Sequence, residues 1–579
     1  MDTVANIFYH LHGSIVGSME DGRHARLERL LSMLKRRGVI LPAFEIHGGV
    51  AGLFDYGPIG GRLRRNVEQQ WLQHWLSMGD IVEIDSPTLT PYSVLEASGH
   101  VGAFNDHAIE CGGCGAVHRA DHLVVDYHPN PDSLSAEELD SLINQHVVEC
   151  PSCAENSKWL GAKPMNLMFS TKIGATKGGR QGFMRPETAQ GMYTMYPAIY
   201  RHFREKLPFG AVQVGKGYRN EISPRQGMIR LREFYMAELE YFVDPKMESV
   251  YDYTKWDGIK FKLIPDGKEM RDMNISEAYK EGIIRDNTVA YFMCQTWEFL
   301  RKLGIDVDRM RFRQHESDEM AHYATDCWDL EIHGSYGWIE CVGIAHRGCY
   351  DLQSHQNATG QRLGAWRSFA EPIEKEVLKI GLDTGKAGPV FREKVSQIVE
   401  KLSDLVEVPK LFPLQIELND GEIIQLEESF VKVTKGTEVV HGEWFTPHVI
   451  EPAFGIDRII WHLIDHAYEE TEKDNKEYRV LRTAKSVSPI DVAIFPLFEK
   501  EGMDELAKSL KNKLTNRGIS CYYDGSGSIG RRYARADEVG VPIAITVDHQ
   551  SLTDSCVTIR DRDTQSQERI EINNLENYL

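Results

Sequence analysis

The most constraining stretch of the chain runs from Val214 to Glu240, VGKGYRNEISPRQGMIRLREFYMAELE. Two segments of strand character flank a loop carrying Pro224 and Gly227, the pattern of a strand, a turn and a returning strand. Side chains alternate along a strand, so Arg219 and Glu221 share a face. The loop supplies Arg225, Arg230 and Arg232, Phe234 offers a flat ring, and Glu238 follows on the returning strand. A guanidinium grips phosphate through paired hydrogen bonds that an ammonium cannot match. This set therefore suits a nucleoside triphosphate. Read alone, the same residues also describe a charged surface hairpin with cross-strand ion pairs.

The chain has 579 residues, more than one ordinary domain, and its 42% apolar content supplies a large core. No run of about 18 apolar residues appears, so no membrane span is expected. The first residues lack a basic segment followed by an apolar one, so no secretory signal is read. Residues 1–18 read as a disordered leader, with Met19 as a candidate native start and a helix over 24–38 ending at Gly38. A second helix is expected over 60–78, with Trp71, Leu72, Trp75 and Leu76 on one stripe. Extended residues 80–90 with Pro87 follow. Residues 19–487 form the main domain, with insertions at 108–156 and 245–335 and strands with a hairpin turn at Asn419-Asp420-Gly421 within 410–450. From Ser488 a strand–helix alternation marks a small α/β domain. The net charge of −20 argues against indiscriminate nucleic-acid binding but leaves room for a local basic surface.

The 214–240 segment resembles motif 2 of class II aminoacyl-tRNA synthetases, in the version of the glycyl-tRNA synthetases. Glu451-Pro452-Ala453-Phe454-Gly455-Ile456-Asp457-Arg458 resembles motif 3, and the 60–78 helix with Pro87 resembles motif 1, the dimer element. Glu45–Pro58, Arg185–Gly191 and Trp338–Ala345 match the glycine enzyme as well. The resemblance covers residue 20 to the C-terminus. It implies an α+β fold: a catalytic domain on an antiparallel sheet flanked by helices, a zinc-knuckle insertion and a C-terminal anticodon-binding domain. The implied activity is formation of glycyl-adenylate from ATP, then transfer of glycine to tRNA(Gly), by a cytoplasmic homodimer.

The resemblance also implies roles. Arg219 holds the α-phosphate, Asn220 and Glu221 meet the adenine edge, and adenine stacks between Phe234 and Arg458. Ile229, Arg230, Leu231, Arg232 and Glu233 line the ATP, with Gly455, Ile456 and Asp457. Glu340 and Cys341 contact ATP, and Glu340 is an oxygen ligand for Mg²⁺. Glu187, Glu238 and Glu451 surround the glycine ammonium and fill the space of a Cβ. Arg119, Tyr235, Met236, Ala237, Pro452 and Phe454 complete the glycine site. Two positions depart from the pattern. Ala453 stands where the family usually has Ser, which removes a hydroxyl contact and implies weaker glycine binding. His346 stands where the family often has Asp, beside the active site.

Cys111/Cys114 and Cys150/Cys153 form two Cys-x-x-Cys knuckles, and four thiolates suit one closed, structural Zn²⁺ site. Arg531, Arg532 and Arg535 share a helical face in the C-terminal domain, whose resemblance implies reading of anticodon bases. Two other readings remain open. One is a threonyl- or prolyl-type ligase, against which Arg185–Gly191 and the three acids argue. The other is a non-catalytic nucleic-acid-binding relative, which would not need Arg219, Glu221 and Arg458.

Overall fold

The computed structural model describes residues 22–579 apart from 129, 155–157, 176–177, 225–226, 248–250, 316–325, 404, 406–408, 410 and 474–475. The expected leader at 1–18 and the loop arginine Arg225 lie outside the described residues. Helix 22–36 presents Leu30, Met33 and Leu34 to the core, while Leu31 is exposed. Arg26 then fastens it to the end of helix Ile456–Ala467, 2.5 Å from Asp465 Oδ1 and 2.7 Å from its carbonyl.

The centre of the fold is a nine-stranded sheet. In chain order its strands are β1 (Ile81–Glu83), β2 (Phe209–Tyr218), β3 (Glu233–Val243), β4 (Phe261–Ile264), β5 (Arg271–Met273), β6 (Met310–Gln314), β7 (Asp326–Gly334), β8 (Gly337–Gly348) and β9 (His448–Gly455). Their spatial order is β5-β4-β6-β7-β8-β9-β3-β2-β1. Pairing is antiparallel except at β4–β6 and β1–β2. The segment expected as a second insertion, 245–335, contributes β4 to β7 to this same sheet and helix Asn287–Leu303 to the same core.

One face of the sheet is apolar because alternate residues point that way: Ala237 and Leu239 on β3, Val342 and Ile344 on β8, Phe454 on β9. Helix Gly60–Leu76 covers it with Leu63, Val67, Trp71 and Trp75, spaced one turn apart. Trp71 packs edge-on to Trp75 at 6.3 Å and to Phe454 at 5.6 Å. The helix begins where the chain runs tightly against its neighbour. A Cβ on Gly60 would stand 1.9 Å from the Val39 carbonyl, so no larger residue fits.

The segment with the paired cysteines has its own small core of Ile109, Ala120, Val124, Leu139 and Ile143. Its acidic stretch is helix Ala136–Gln145, started by a reciprocal Ser135/Glu138 cap. Residues 490–579 build a five-stranded sheet, with Cys521–Tyr523, Val492–Pro496 and Ile543–Val547 parallel and Cys556–Asp561 and Gln567–Glu571 antiparallel. Gly364–Thr446 forms a separate compact unit, which the sequence had not set apart. It holds a long antiparallel ribbon, Ala365–Leu382 with Val431–Phe445, and the hairpin Leu414–Glu417/Ile423–Leu426. That hairpin turns at Asn419-Asp420-Gly421, with Gly421 at φ 85°.

Trp71→Ala is expected to cost about 3–5 kcal/mol of stability, because it empties a fully buried site between helix and sheet. Chemical denaturation checks this, and a loss below about 1 kcal/mol would mean that this contact does not hold helix to sheet.

Candidate active site

The face of the sheet opposite the helix carries the polar residues. Register places Gln213 beside Glu238, Glu238 beside Ala453, and Ala453 beside Gly343. Above them opens a cleft of about 260 Å³. Its lining brings together Glu187, Arg219, Glu221, Ile229, Arg230, Leu231, Phe234, Tyr235, Met236, Glu238, Glu340, Cys341, Glu451, Ala453, Phe454, Gly455, Asp457 and Arg458. These residues come from five separated parts of the chain, and each was a sequence candidate.

Arg219 follows β2 at the hairpin mouth, where its amide donates to the Arg232 carbonyl at 3.0 Å. Its guanidinium lies 5.4 Å from the Phe234 ring centre and donates to the Pro186 carbonyl at 3.3 Å. It makes no ion pair among the described residues, so its charge is available to a ligand. Arg458, in the first turn after β9, donates to the Glu340 carbonyl at 2.7 Å and to that of Ile229 at 3.2 Å. The Glu340 carboxylate is half exposed beside it. Burial raises the Glu221 carboxyl above its ordinary value, against the pull of Arg230 and Arg219.

The other end of the cleft concentrates carboxylates. Burial and the neighbouring Glu187 and Glu451 push Glu238 up to about 8, although the Thr188 amide donates to it at 2.8 Å. Burial would also raise Glu187, but His100 at 3.3 Å and Arg347 hold it well below the usual carboxylate range. Glu451 is raised by burial and partly offset by Arg347, whose Nη1 is 2.8 Å away. Deeper still, Glu240 accepts from the Tyr193 hydroxyl at 2.6 Å, and its second oxygen has no partner among the described residues.

Seven sequence candidates do not line the cleft. Ala237 and Pro452 alternate onto the buried side of their strands, and Ile456 is buried in the first turn of helix Ile456–Ala467. Asn220 spans the hairpin neck, its amide donating to the Leu167 carbonyl at 2.7 Å. Arg232 is spent on backbone, donating to Glu221 O at 3.0 Å and Ala51 O at 2.8 Å. Glu233 pairs with Lys216. Arg119 is held by Asp106 at 2.9 Å and Asp121 at 2.6 Å. Asp457 does line the cleft, but both its oxygens are engaged, by the Tyr56 hydroxyl and by the Tyr235 amide at 2.5 Å.

His346 corrects an expectation. Strand alternation turns it away from the cleft, toward His448 (ring centres 5.2 Å apart) and Asp286 (3.9 Å). Arg347, one residue on, lines the cleft instead. Sequence reasoning missed Arg347, His100 and Thr188 as supports of the acids. Arg347 was in view beside His346, and the β-strand period alone would have chosen between them.

The knuckles meet as their spacing predicts. Cys111 Sγ lies 3.9 Å from Cys153 Sγ, and Cys114 Sγ 3.8 Å from Cys150 Sγ. All four sulfurs fall within 4.8 Å of one another. A tetrahedron with Zn–S bonds of about 2.3 Å has edges of about 3.8 Å. The Cys114 and Ser152 amides point at Cys111 and Cys150 sulfurs at 3.5 and 3.4 Å, stabilising thiolate charge. The residues fit the ion.

Two family models match the chain: the tRNA synthetase class II core domain (G, H, P, S and T) over residues 171–324 and the anticodon binding domain over 491–579. A glycine–tRNA ligase of Methanocaldococcus jannaschii is 44% identical over 577 residues, covering 95% of this chain and 98% of that one. One from Archaeoglobus fulgidus is 43% identical over 96% of both chains. One from Methanococcus maripaludis is 42% identical over 96% of this chain and 99% of its own. Among the described residues no helix is long and apolar enough to cross a membrane. With relatives matching nearly end to end and both domains in place, the chain belongs to the glycine–tRNA ligases, a family of class II aminoacyl-tRNA synthetases.

Proposed function

We propose that this chain activates glycine with ATP, releasing pyrophosphate, and then transfers the glycyl group to the 3′ end of tRNA(Gly). One observation carries the reading: a single cleft joins an uncompensated arginine and an aromatic ring to a buried group of carboxylates. The first half suits a triphosphate and a base, the second an ammonium.

Arg219 meets the α-phosphate, where charge accumulates as the glycine carboxylate attacks. A fixed cation there stabilises the transition state more than the ground state. Phe234 and Arg458 hold the adenine between them. Glu340 is the oxygen ligand for Mg²⁺, which when bound offsets phosphate charge. Glu187, Glu238 and Glu451 hold the glycine ammonium, with Arg347 and His100 fixing two of them. Cys111, Cys114, Cys150 and Cys153 hold one structural Zn²⁺, supported by their sulfur spacing. The C-terminal domain binds the anticodon end, and Arg531 is left projecting from a helix whose Arg532 and Arg535 are engaged within the domain. The enzyme acts as a cytoplasmic homodimer through the 60–76 helix region, by likeness to motif 1.

Glycine-dependent ATP–pyrophosphate exchange tests the reading. Exchange with threonine or proline instead, or none with any amino acid, would overturn it. Arg219→Lys is expected to lower exchange by about 100-fold, the cost of losing one fixed donor to the developing charge.

Ala453 lies between Glu238 and Gly343 on the cleft floor. Ala453→Ser restores a hydroxyl there. It is expected to lower the glycine KM by roughly fivefold, about 1 kcal/mol; an unchanged or higher KM counts against this.

Glycine binding should also depend on pH. Glu238, raised to about 8, holds a proton at neutral pH, and an ammonium binds its ionised form. Glycine KM should therefore fall as pH rises through that value, by at most about tenfold per pH unit. The slope should vanish in Glu238→Gln, and a flat wild-type profile would refute the linkage.

A further inference from the structure

A second group of metal-type donors stands apart from the knuckles. His315 directly follows β6, and Cys327 and Asp329 alternate onto one face of β7. The ladder sets them together: Gln314 is beside Trp328, Arg313 beside Asp329, and the His315 amide donates to the Cys327 carbonyl at 3.0 Å. His315 Nε2 lies 2.9 Å from Asp329 Oδ2, and one ligand atom from each of the three falls within 4.8 Å of the others. Asp329 is buried, while His315 and Cys327 are half-buried.

A histidine–aspartate ion pair alone would need no thiol. Here a sulfur completes a triangle of imidazole nitrogen, thiolate and carboxylate oxygen, a donor set that suits borderline divalent cations rather than Mg²⁺. Acidic neighbours add to the attraction: Glu340 acts on Asp329, and Glu451 on Cys327. The opposing cation, Arg313, lies 3.2 Å from Asp329 but is shared with Glu331 at 3.4 Å.

We infer that His315, Cys327 and Asp329 form a second metal site, separate from the four-cysteine site, for a borderline divalent cation of the Zn²⁺ or Co²⁺ class. Three protein donors leave a coordination position for water, unlike the closed cysteine site. On loading, the Cys327 thiol and the His315 imidazolium, which Asp329 holds protonated, each give a proton to solvent and bind as thiolate and neutral imidazole. The site lies on the cleft-facing side of the sheet, beside the cleft: Asp329 and Cys327 pair with Gly343 and Ala345, and a Cβ built on Gly343 would stand 3.8 Å from Asp329 Oδ1.

The test uses the whole purified chain. Zinc is counted by elemental analysis, and Co²⁺ is then added in excess while thiolate-to-cobalt charge-transfer absorption is followed. The expected result is one further equivalent of cobalt per chain beyond what the four cysteines hold. Its charge-transfer intensity should correspond to one thiolate rather than four. His315→Gln and Cys327→Ser should each lose that equivalent while keeping the wild-type melting profile and the zinc of the four cysteines. Absence of a further equivalent in the wild type overturns the proposal whether or not the variants fold. So does an unchanged stoichiometry in either folded variant.

Discussion

The cleft depends on one antiparallel ladder, in which Gln213, Glu238, Ala453 and Gly343 stand abreast on four neighbouring strands. Strand side chains alternate, so a slip of one residue would exchange the two faces. Glu238 would then enter the packing now filled by Ala237 and Leu239, and those two would face solvent. The apolar face, closed by Trp71 and Trp75, thus enforces the register that displays the polar one. Catalytic geometry and core packing are two sides of the same strands.

Around that ladder, polar side chains divide between holding and acting. Arg232 gives its hydrogen bonds to the carbonyls of Glu221 and Ala51, tying the hairpin mouth to the glycine-rich segment after residue 44. Asp457 gives both oxygens to Tyr56 and Tyr235, bracing the start of helix Ile456–Ala467 so that Arg458 projects into the cleft. With those groups spent, Arg219 remains a cation without a carboxylate partner among the described residues. A fixed charge that need not reorganise when a phosphate arrives is what preorganised stabilisation requires.

Much of this was legible in the residues. The strand–turn–strand pattern of 214–240, the one-turn spacing of Trp71 and Trp75, and the alternation of the C-terminal domain are local periodicities, and they survive folding. The motif residues that line the cleft were legible as a set because the resemblance carries their order. What failed was anything settled by side-chain direction. Ala237 and Pro452 fell inside motif runs but alternate away, and Arg232 and Glu233 found partners nearer than any ligand. His346 drew notice as a departure from the family, yet faces the far side. The unit Gly364–Thr446 escaped notice because its ribbon and hairpin have the same strand signature as the sheet they interrupt. Contacts, not composition, set it apart.

The carboxylate end of the cleft is unfavourable by itself. Glu187, Glu238, Glu240 and Glu451 are all buried or nearly so, with Arg347 and His100 as their nearby cations and Asp351 claiming part of Arg347. Buried charges are costly unless paired, and groups that cannot all ionise hold protons instead. Glu238 does so, while Glu187 stays ionised against His100. A pocket in that state has room for one more compact positive charge and little for apolar bulk. In the proposed function a small substrate ammonium joins these carboxylates, and a larger amino acid would have to place its side chain against them. Selection for glycine, which has no side chain to grip, would then rest on that cost rather than on any favourable contact with a side chain.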